Sequence, residues 1–340
     1  MRILVTGGTG FLGSHLVRAL CARGHSVRVL GRDEARCAKL RDGGCEILRA
    51  DLADGEAVRQ ACAGVDAAIH VAALSAPWGP RGEFYRANVV GTEHVLAGCE
   101  AGKVARLIHV SSPSVVFDGR DHVLSTESAP YPRKFLSHYA ETKKLAEDRV
   151  LDAHRRGLPA TIVRPKAIFG PGDQTLLPRL LEVARRGRLP QIGDGTNCVD
   201  LTYVDNVVHA LMLALDAPAT GKIYTITNGE HPRLWDVVRH VLDRLGVNVP
   251  LRRLPYRLVY LMATFMELRA RLFGGEPLLT RYTTAILART QTYDITAARR
   301  DLGYEPIVTV ADGIERSLQA LASDASEGLA HQPSRRDTQS

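Results

Sequence analysis

Tryptophan is scarce in this 340-residue chain, with two, and aromatic residues together make up only 6%. The net charge of +7 therefore lacks the aromatic interleaving of a nucleic-acid footprint. Its arginines come in scattered pairs (Arg155-Arg156, Arg185-Arg186, Arg252-Arg253, Arg299-Arg300) among acids, as on a solvated surface, and no nucleic-acid partner is expected. Cysteine is sparse too. The six, at 21, 37, 45, 62, 99 and 198, form no Cys-x-x-Cys pair and have no histidine at ligand spacing. They read as reduced and mostly buried, with neither a disulfide framework nor a metal site. Long hydrophobic runs are missing: Leu258 to Met266 is far too short to cross a bilayer as a helix. No charged and then apolar leader precedes the first strand signal, so the expectation is a cytoplasmic protein without a signal peptide. With 45% hydrophobic and 24% charged residues, disordered and collagen-like classes are excluded. At roughly 150 residues per domain, about two domains or one enlarged domain fit the length.

Short β-rich runs stand at Arg2–Val5, Ser26–Leu30, Cys45–Arg49, Ala67–Val71, Arg106–Val110 and Ala160–Val163. Helical patterns begin near Phe11, Glu56, Glu83 and Tyr139. This alternation predicts right-handed βαβ units and a parallel sheet covered on both faces, the doubly wound Rossmann plan, with ligands beyond the carboxyl ends of the strands. After Arg164 the pattern loosens. Helices are expected at Leu176–Arg186 and Asp205–Leu215, and Lys222–Thr227 reads as a strand that rejoins the sheet. The division follows: residues 1–165 plus about 197–229 form the dinucleotide-binding part, and 166–196 plus 230–322 a smaller, mainly helical substrate region. Residues 323–340 are polar and aperiodic, a disordered tail.

The first strand runs into Gly7, Gly10 and Gly13 at the spacing G-x-x-G-x-x-G, with Phe11 and Leu12 opening the helix that follows. Glycines let a backbone turn tightly against a pyrophosphate, and a helix N-terminus adds oriented N–H groups. The end of the second strand reads Leu30-Gly31-Arg32, where a carboxylate would select NAD(H) by binding the ribose hydroxyls. Arg32 can instead pair a 2′-phosphate, so NADP(H) is favoured and NAD(H) stays open because Asp33 is close. Asp51-Leu52 closes the third strand, where it could meet the adenine edge.

Tyr139 precedes Lys143 by four residues, one helical turn, and Ala146 and Val150 continue the same inward face. An ammonium beside a phenol favours the phenolate; a fall from ~10 toward ~7 is about 4 kcal/mol. Such a phenol can give a proton to a carbonyl during hydride delivery or take one in reverse. Upstream, Ser111-Ser112-Pro113-Ser114 ends an apolar strand, and Ser112, with Ser114 as the second candidate, is placed to polarise the carbonyl. Asp66, Asp118 and His138 read as strand-start, turn and cap residues.

Together with His70-Val-Ala72-Ala73 and Asn88-Val-Val-Gly-Thr92, these motifs resemble the extended short-chain dehydrogenase/reductase superfamily, over nearly everything from Met1 to Leu321. The resemblance implies that the backbone at Ala72-Ala73 lies along the cofactor and that Lys143 also bonds the nicotinamide ribose. It further implies that Asn88 organises the active-site helix, that Arg164-Pro165 leads through Ile168 into the substrate region, and that the protein is a homodimer. Nucleotide-sugar epimerases and dehydratases carry an arginine in a Gly-x-x-x-Arg segment; Gly195-Thr-Asn-Cys-Val199 puts valine there, which disfavours that alternative. Ser111–Val116, Ile168–Asp173, Glu276–Arg281 and Tyr293-Asp-Ile resemble instead the 3β-hydroxysteroid dehydrogenase branch. Trp78-Gly79 and Pro113-Ser114 look most like its bacterial 2-alkyl-3-oxoalkanoate reductases. An NAD(P)-dependent ketone/alcohol oxidoreductase on a large hydrophobic substrate is expected; a non-catalytic NADP(H)-binding sensor would lack Tyr-x-x-x-Lys. The stretch from Leu254 to Phe273, with Tyr256, Leu258, Val259, Tyr260, Leu261, Met262, Phe265, Met266, Leu268 and Phe273, is expected to wall an apolar pocket. Its flanking Arg253, Arg257, Arg269 and Arg271 leave two other roles open: peripheral membrane contact, or pairing with a substrate carboxylate.

Overall fold

The computed structural model describes residues 1–330 apart from Arg186, Arg188 and Ala219, and the side chains of Arg185 and of residues 324–330 are not described. Seven strands form one parallel sheet: β1 Arg2–Thr6, β2 Ser26–Gly31, β3 Glu46–Arg49, β4 Ala67–His70, β5 Arg106–Val110, β6 Ala160–Pro165 and β7 Ile223–Ile226. Their order across the sheet is β7-β6-β5-β4-β1-β2-β3, with every adjacent pair parallel. The chain reverses its direction of growth between β1 and β4, the place where a doubly wound sheet opens a crevice.

Because successive strand side chains face opposite ways, β1 feeds two cores. Ile3 and Val5 pack with Leu16, Val29, Ile108 and Leu211 on one face. Leu4 joins Val58, Val95, Leu107 and Val150 on the other. Near-continuous apolar runs such as β6, buried throughout, are what a sheet covered on both sides requires. The Lys222–Thr227 run does rejoin the sheet, as edge strand β7 beside β6.

The C-terminal region has a core of its own around Trp235, Ile192, Val238, Leu242 and Val259. It is built from helices Leu176–Arg185, Leu234–Arg244, Tyr256–Phe273 and Arg281–Ala288. Trp235 is fully buried, and its indole N–H donates to the Leu287 carbonyl at 3.2 Å, joining two of these helices. The last helix runs Val310–Ala330, so helix occupies the first part of the expected disordered tail, whose remainder (331–340) lies outside the described residues. Its apolar stripe, Val310, Ile314 and Leu318, packs on the sheet core, and helical hydrogen bonding carries on past that contact.

Candidate active site

The glycine loop shows why it must be glycine. A Cβ on Gly13 would stand 2.1 Å from the Gly7 carbonyl oxygen, and one on Gly7, whose φ is +71°, would stand 2.7 Å from Ala72 Cα. The helix Phe11–Ala22 therefore starts hard against the strand end, and the Ala72 backbone closes the other side. Gly10 caps that helix without a side-chain hydrogen bond, and its first turn has no acid. Its N–H groups and partial positive charge thus face the crevice, the arrangement an anionic pyrophosphate needs. Residues 7–13 and 72–73 fit a dinucleotide on these grounds.

At the end of β2, the Arg32 side chain is 77% exposed and its Nη1 donates to Asp51 Oδ2 at 2.9 Å. Asp51 also accepts from the Ala53 N–H at 2.9 Å, and these bonds hold its carboxyl below the usual range, the backbone one foremost. Asp33 is spent on capping the next helix, accepting from the Arg36 N–H at 3.0 Å. Leu52 packs into the second core and against Gly91.

Thr6, His70 and His109 stand in one register row across β1, β4 and β5. His70 Nδ1 bonds Thr6 Oγ1 at 2.7 Å and its Nε2 bonds Thr92 Oγ1 at 3.0 Å. Burial, with Lys143 nearby, pushes the His70 imidazole down to about 3, and His109 well below its ordinary value for the same reasons. Both rings are neutral. Asn88, in a wide helical turn, accepts from the Leu74 N–H at 2.7 Å and donates to Thr142 Oγ1 at 3.0 Å. It ties the loop after β4 to the helix His138–Arg155 at Thr142, the residue before Lys143.

That helix is capped by Ser137, whose hydroxyl accepts from the Ala140 N–H. Lower down, Glu147 and Arg164 form a fully buried two-point pair, with 2.8 Å from Nε to Oε1 and 2.6 Å from Nη2 to Oε2. Tyr131 completes it: its hydroxyl donates to Glu147 at 3.0 Å and accepts from Arg164 at 2.9 Å. The Tyr139 helix is thereby fixed to β6 at a point where a helix and a strand could otherwise slide.

The hydroxyls of Ser112 and Ser75 stand beside the Tyr139 phenol. Burial pushes it above its ordinary value while those two hydroxyls pull it back. The expected depression by Lys143 is not what this arrangement produces. The lysine does sit buried on the same helix face, but its ammonium donates to the Val110 carbonyl at 2.7 Å and lies 3.3 Å from His109 Nε2. Burial brings Lys143 itself down to about 8, partly offset by the Glu147 charge. Ser112 caps the short turn Pro113–Val116 by accepting from the Ser114 N–H at 3.2 Å, which fixes its hydroxyl at the strand end. Two neighbours escaped sequence reasoning. Ser75 comes from the loop after β4. Tyr282, from the helix Arg281–Ala288, lies close enough that the Tyr139 charge raises its phenol further, beyond the larger effect of burial.

Pro165 ends β6, and Ile168 starts a two-residue strand paired with Thr202–Tyr203, so both sit where the chain leaves the sheet for the helical region. A small cleft opens beside the start of the Tyr139 helix, lined by Trp78, Phe84, Phe135, Leu136 and His138 together with Glu267, Arg271 and Arg281. The Leu254–Phe273 stretch does not wall it with apolar side chains as expected. It contributes Glu267 and Arg271, while Leu258, Leu261, Met262, Phe265, Leu268 and Phe273 are exposed on the outside. Only Val259, Ala263 and Glu267 of this helix turn fully inward, because its buried stripe is one residue wide per turn.

The profile of the 3-beta hydroxysteroid dehydrogenase/isomerase family matches residues 4–256. The chain belongs to that family. It is an oxidoreductase of the extended short-chain dehydrogenase type, as the glycine cradle and Tyr-x-x-x-Lys helix already indicate. A 2-alkyl-3-oxoalkanoate reductase of Stenotrophomonas maltophilia is 41% identical over 335 residues, covering 95% of this chain and all of that protein. A sterol-4-alpha-carboxylate 3-dehydrogenase of Mus musculus is 35% identical, covering 93% and 90%. Among solved structures, a dTDP-glucose 4,6-dehydratase of Streptomyces venezuelae with NAD bound superposes at a TM-score of 0.78 with 27% identity, covering 96% and 98%.

Proposed function

We propose that this family member is an NADP(H)-preferring ketoreductase that reduces a 3-oxo group on a large hydrophobic substrate. One observation carries the proton-donor role: the Tyr139 phenol is buried beside the Ser112 and Ser75 hydroxyls, and burial holds it above its ordinary value and so protonated at neutral pH. A protonated phenol is a donor, which is what a carbonyl oxygen needs as it becomes an alkoxide. A bound nicotinamide supplies the hydride. Ser112 and Ser75, which stand beside the phenol, are placed to bond the substrate oxygen and hold it in line for the proton. Lys143 keeps a positive charge one turn away, where it favours the tyrosinate left after the transfer. Release of its Val110 bond would let it reach a ribose hydroxyl.

The preference for the phosphorylated cofactor rests on Arg32 and Arg36 flanking the end of β2, with Asp33 engaged as a helix cap rather than free to bind a ribose. Arg32→Ala should raise the Kd for NADPH about tenfold or more and leave that for NADH nearly unchanged, measured by fluorescence titration; equal losses would refute the assignment. The sugar-nucleotide reading is weakened by Val199, which is buried at the position where a diphosphate would need a cation. The substrate class follows the relatives, which reduce or oxidise 3-oxo and 3-hydroxy compounds by name. Incubation with NADPH and a panel of 2-alkyl-3-oxo acids and 3-ketosteroids tests it. Loss of reduced-cofactor absorbance with a panel member is expected. No net change with any of them, alongside interconversion of a nucleotide sugar, would overturn the reading.

A further inference from the structure

We propose that the outer face of the helix Tyr256–Phe273 is a lipid-binding surface that lies in the plane of an anionic bilayer. Six large apolar side chains, Leu258, Leu261, Met262, Phe265, Leu268 and Leu272, recur at spacings of three and four and form one stripe. Each is between 42% and 68% exposed. Phe273, at 81%, and Leu278, at 67%, extend the patch past the helix end. Core packing does not account for this face, since the helix buries the opposite one through Val259 and Ala263.

Charge selects the occupant. Between Asp243 and Glu276 the chain has arginines at 244, 252, 253, 257, 269 and 271 and a single acid, Glu267. Glu267 is buried and engaged, accepting from the Arg281 backbone N–H at 2.7 Å and from its Nε at 2.9 Å. Arg244 pairs with Glu315 and Arg271 turns into the cleft over Trp78, so Arg252, Arg253, Arg257 and Arg269 remain to flank the apolar stripe, and Glu276, two residues before Leu278, is paired with Arg179. A second copy docking by the same face would set these arginines against their own images. An anionic lipid surface instead complements both halves of the patch, and each arginine near it adds roughly fivefold to partitioning. No helix among the described residues is long and apolar enough to cross a membrane, so the helix would lie flat, along about 27 Å at 1.5 Å per residue.

The placement has a use. Glu267 latches this helix to Arg281, at the start of the helix that brings Tyr282 beside Tyr139, and Arg271 stacks over Trp78 in the cleft wall at 5.8 Å. A bilayer seated on the outer face would put the cleft within a helix diameter of the lipid, a short path for a poorly soluble substrate. The surface itself does not depend on which ketone is reduced.

The test is sedimentation of the full chain with vesicles of phosphatidylcholine alone or mixed with phosphatidylglycerol. Wild type should pellet with the mixed vesicles, weakly with phosphatidylcholine, and less as salt rises. Leu261→Ser/Phe265→Ser and Arg257→Glu/Arg269→Glu should each lower partitioning at least tenfold at an unchanged melting temperature. Phe265→Trp should shift its emission to the blue on the mixed vesicles. Wild type staying in the supernatant, or partitioning that neither double variant lowers, would overturn the proposal. So would a lipid-free dimer that Leu261→Ser/Phe265→Ser dissociates in sedimentation velocity, which would assign the face to a second copy.

Discussion

Truncating Glu147 is the most informative single change away from the reacting groups. Its carboxylate receives two guanidinium bonds from Arg164 and one from the Tyr131 hydroxyl, with the ion pair wholly excluded from water. Glu147→Ala leaves the Arg164 guanidinium charged and buried, bonded only to the Tyr131 oxygen and passing over its ring at 5.7 Å. Breaking one side of a buried pair costs about 3–5 kcal/mol, far more than the net worth of the pair, because the stranded charge keeps its desolvation penalty. The expected consequence is a melting temperature lower by roughly 4–7 °C, read by calorimetry and checked by urea unfolding. Replacing both partners with apolar residues of similar volume, Glu147→Leu with Arg164→Met, removes the stranded charge and should recover most of the loss. The single variant should also weaken turnover at temperatures where it is still folded, since the pair sets the helix that carries Tyr139 against β6. A Glu147→Ala protein within 1 kcal/mol of wild type, or a double variant no better than the single, would refute this account of the junction.

The glycine cradle predicts a steep difference within one motif. Gly13→Ala puts a methyl against the Gly7 carbonyl oxygen at 2.1 Å and should abolish cofactor binding by titration, whereas Gly10→Ala, with its nearest atom at 3.2 Å, should cost far less; equal effects would contradict the geometry. Acid should destabilise the fold earlier than carboxylates alone would allow. The His70 imidazole titrates near 6.5 when unfolded and is pushed down to about 3 when folded, so below pH 6.5 the unfolded chain binds the extra proton and stability falls with falling pH. That is about 2 kcal/mol lost by pH 5 from His70, and His109 and His209 act with the same sign. Urea midpoints that do not move between pH 7.5 and pH 5 would contradict it.

Much of the sheet was legible because a parallel sheet covered on both faces writes itself as separate apolar runs, and all six expected first-half strands lie in it within two residues of their expected ends. The glycine loop was legible for a related reason: close backbone approach leaves one residue type possible. The helix Glu34–Asp42 went unseen because its apolar residues, Ala35, Cys37, Ala38 and Leu40, alternate with charged ones without helical periodicity, and only Cys37 is fully buried. Glu147 left a signal that was passed over, a carboxylate one turn after Lys143 on the same inward face as Ala146 and Val150. Ser75 and Tyr282 left none, since each reaches the phenol through tertiary placement of a loop or a distant helix. The Leu254–Phe273 stretch shows the limit of composition: an apolar run records that a surface avoids water, and its location alone tells whether that surface is a pocket wall or an outer face. The lysine was placed correctly on the buried face, yet proximity along a helix did not fix which carbonyl its ammonium would choose.

One phenol decides the chemistry. Tyr139→Phe removes a single oxygen from a pocket whose other groups stay in place. Single-turnover oxidation of bound NADPH by a reducible 3-oxo substrate should slow by at least a thousandfold in this variant, with the Kd for NADPH within threefold of wild type. A rate within tenfold of wild type would contradict the assignment of Tyr139 as the proton donor.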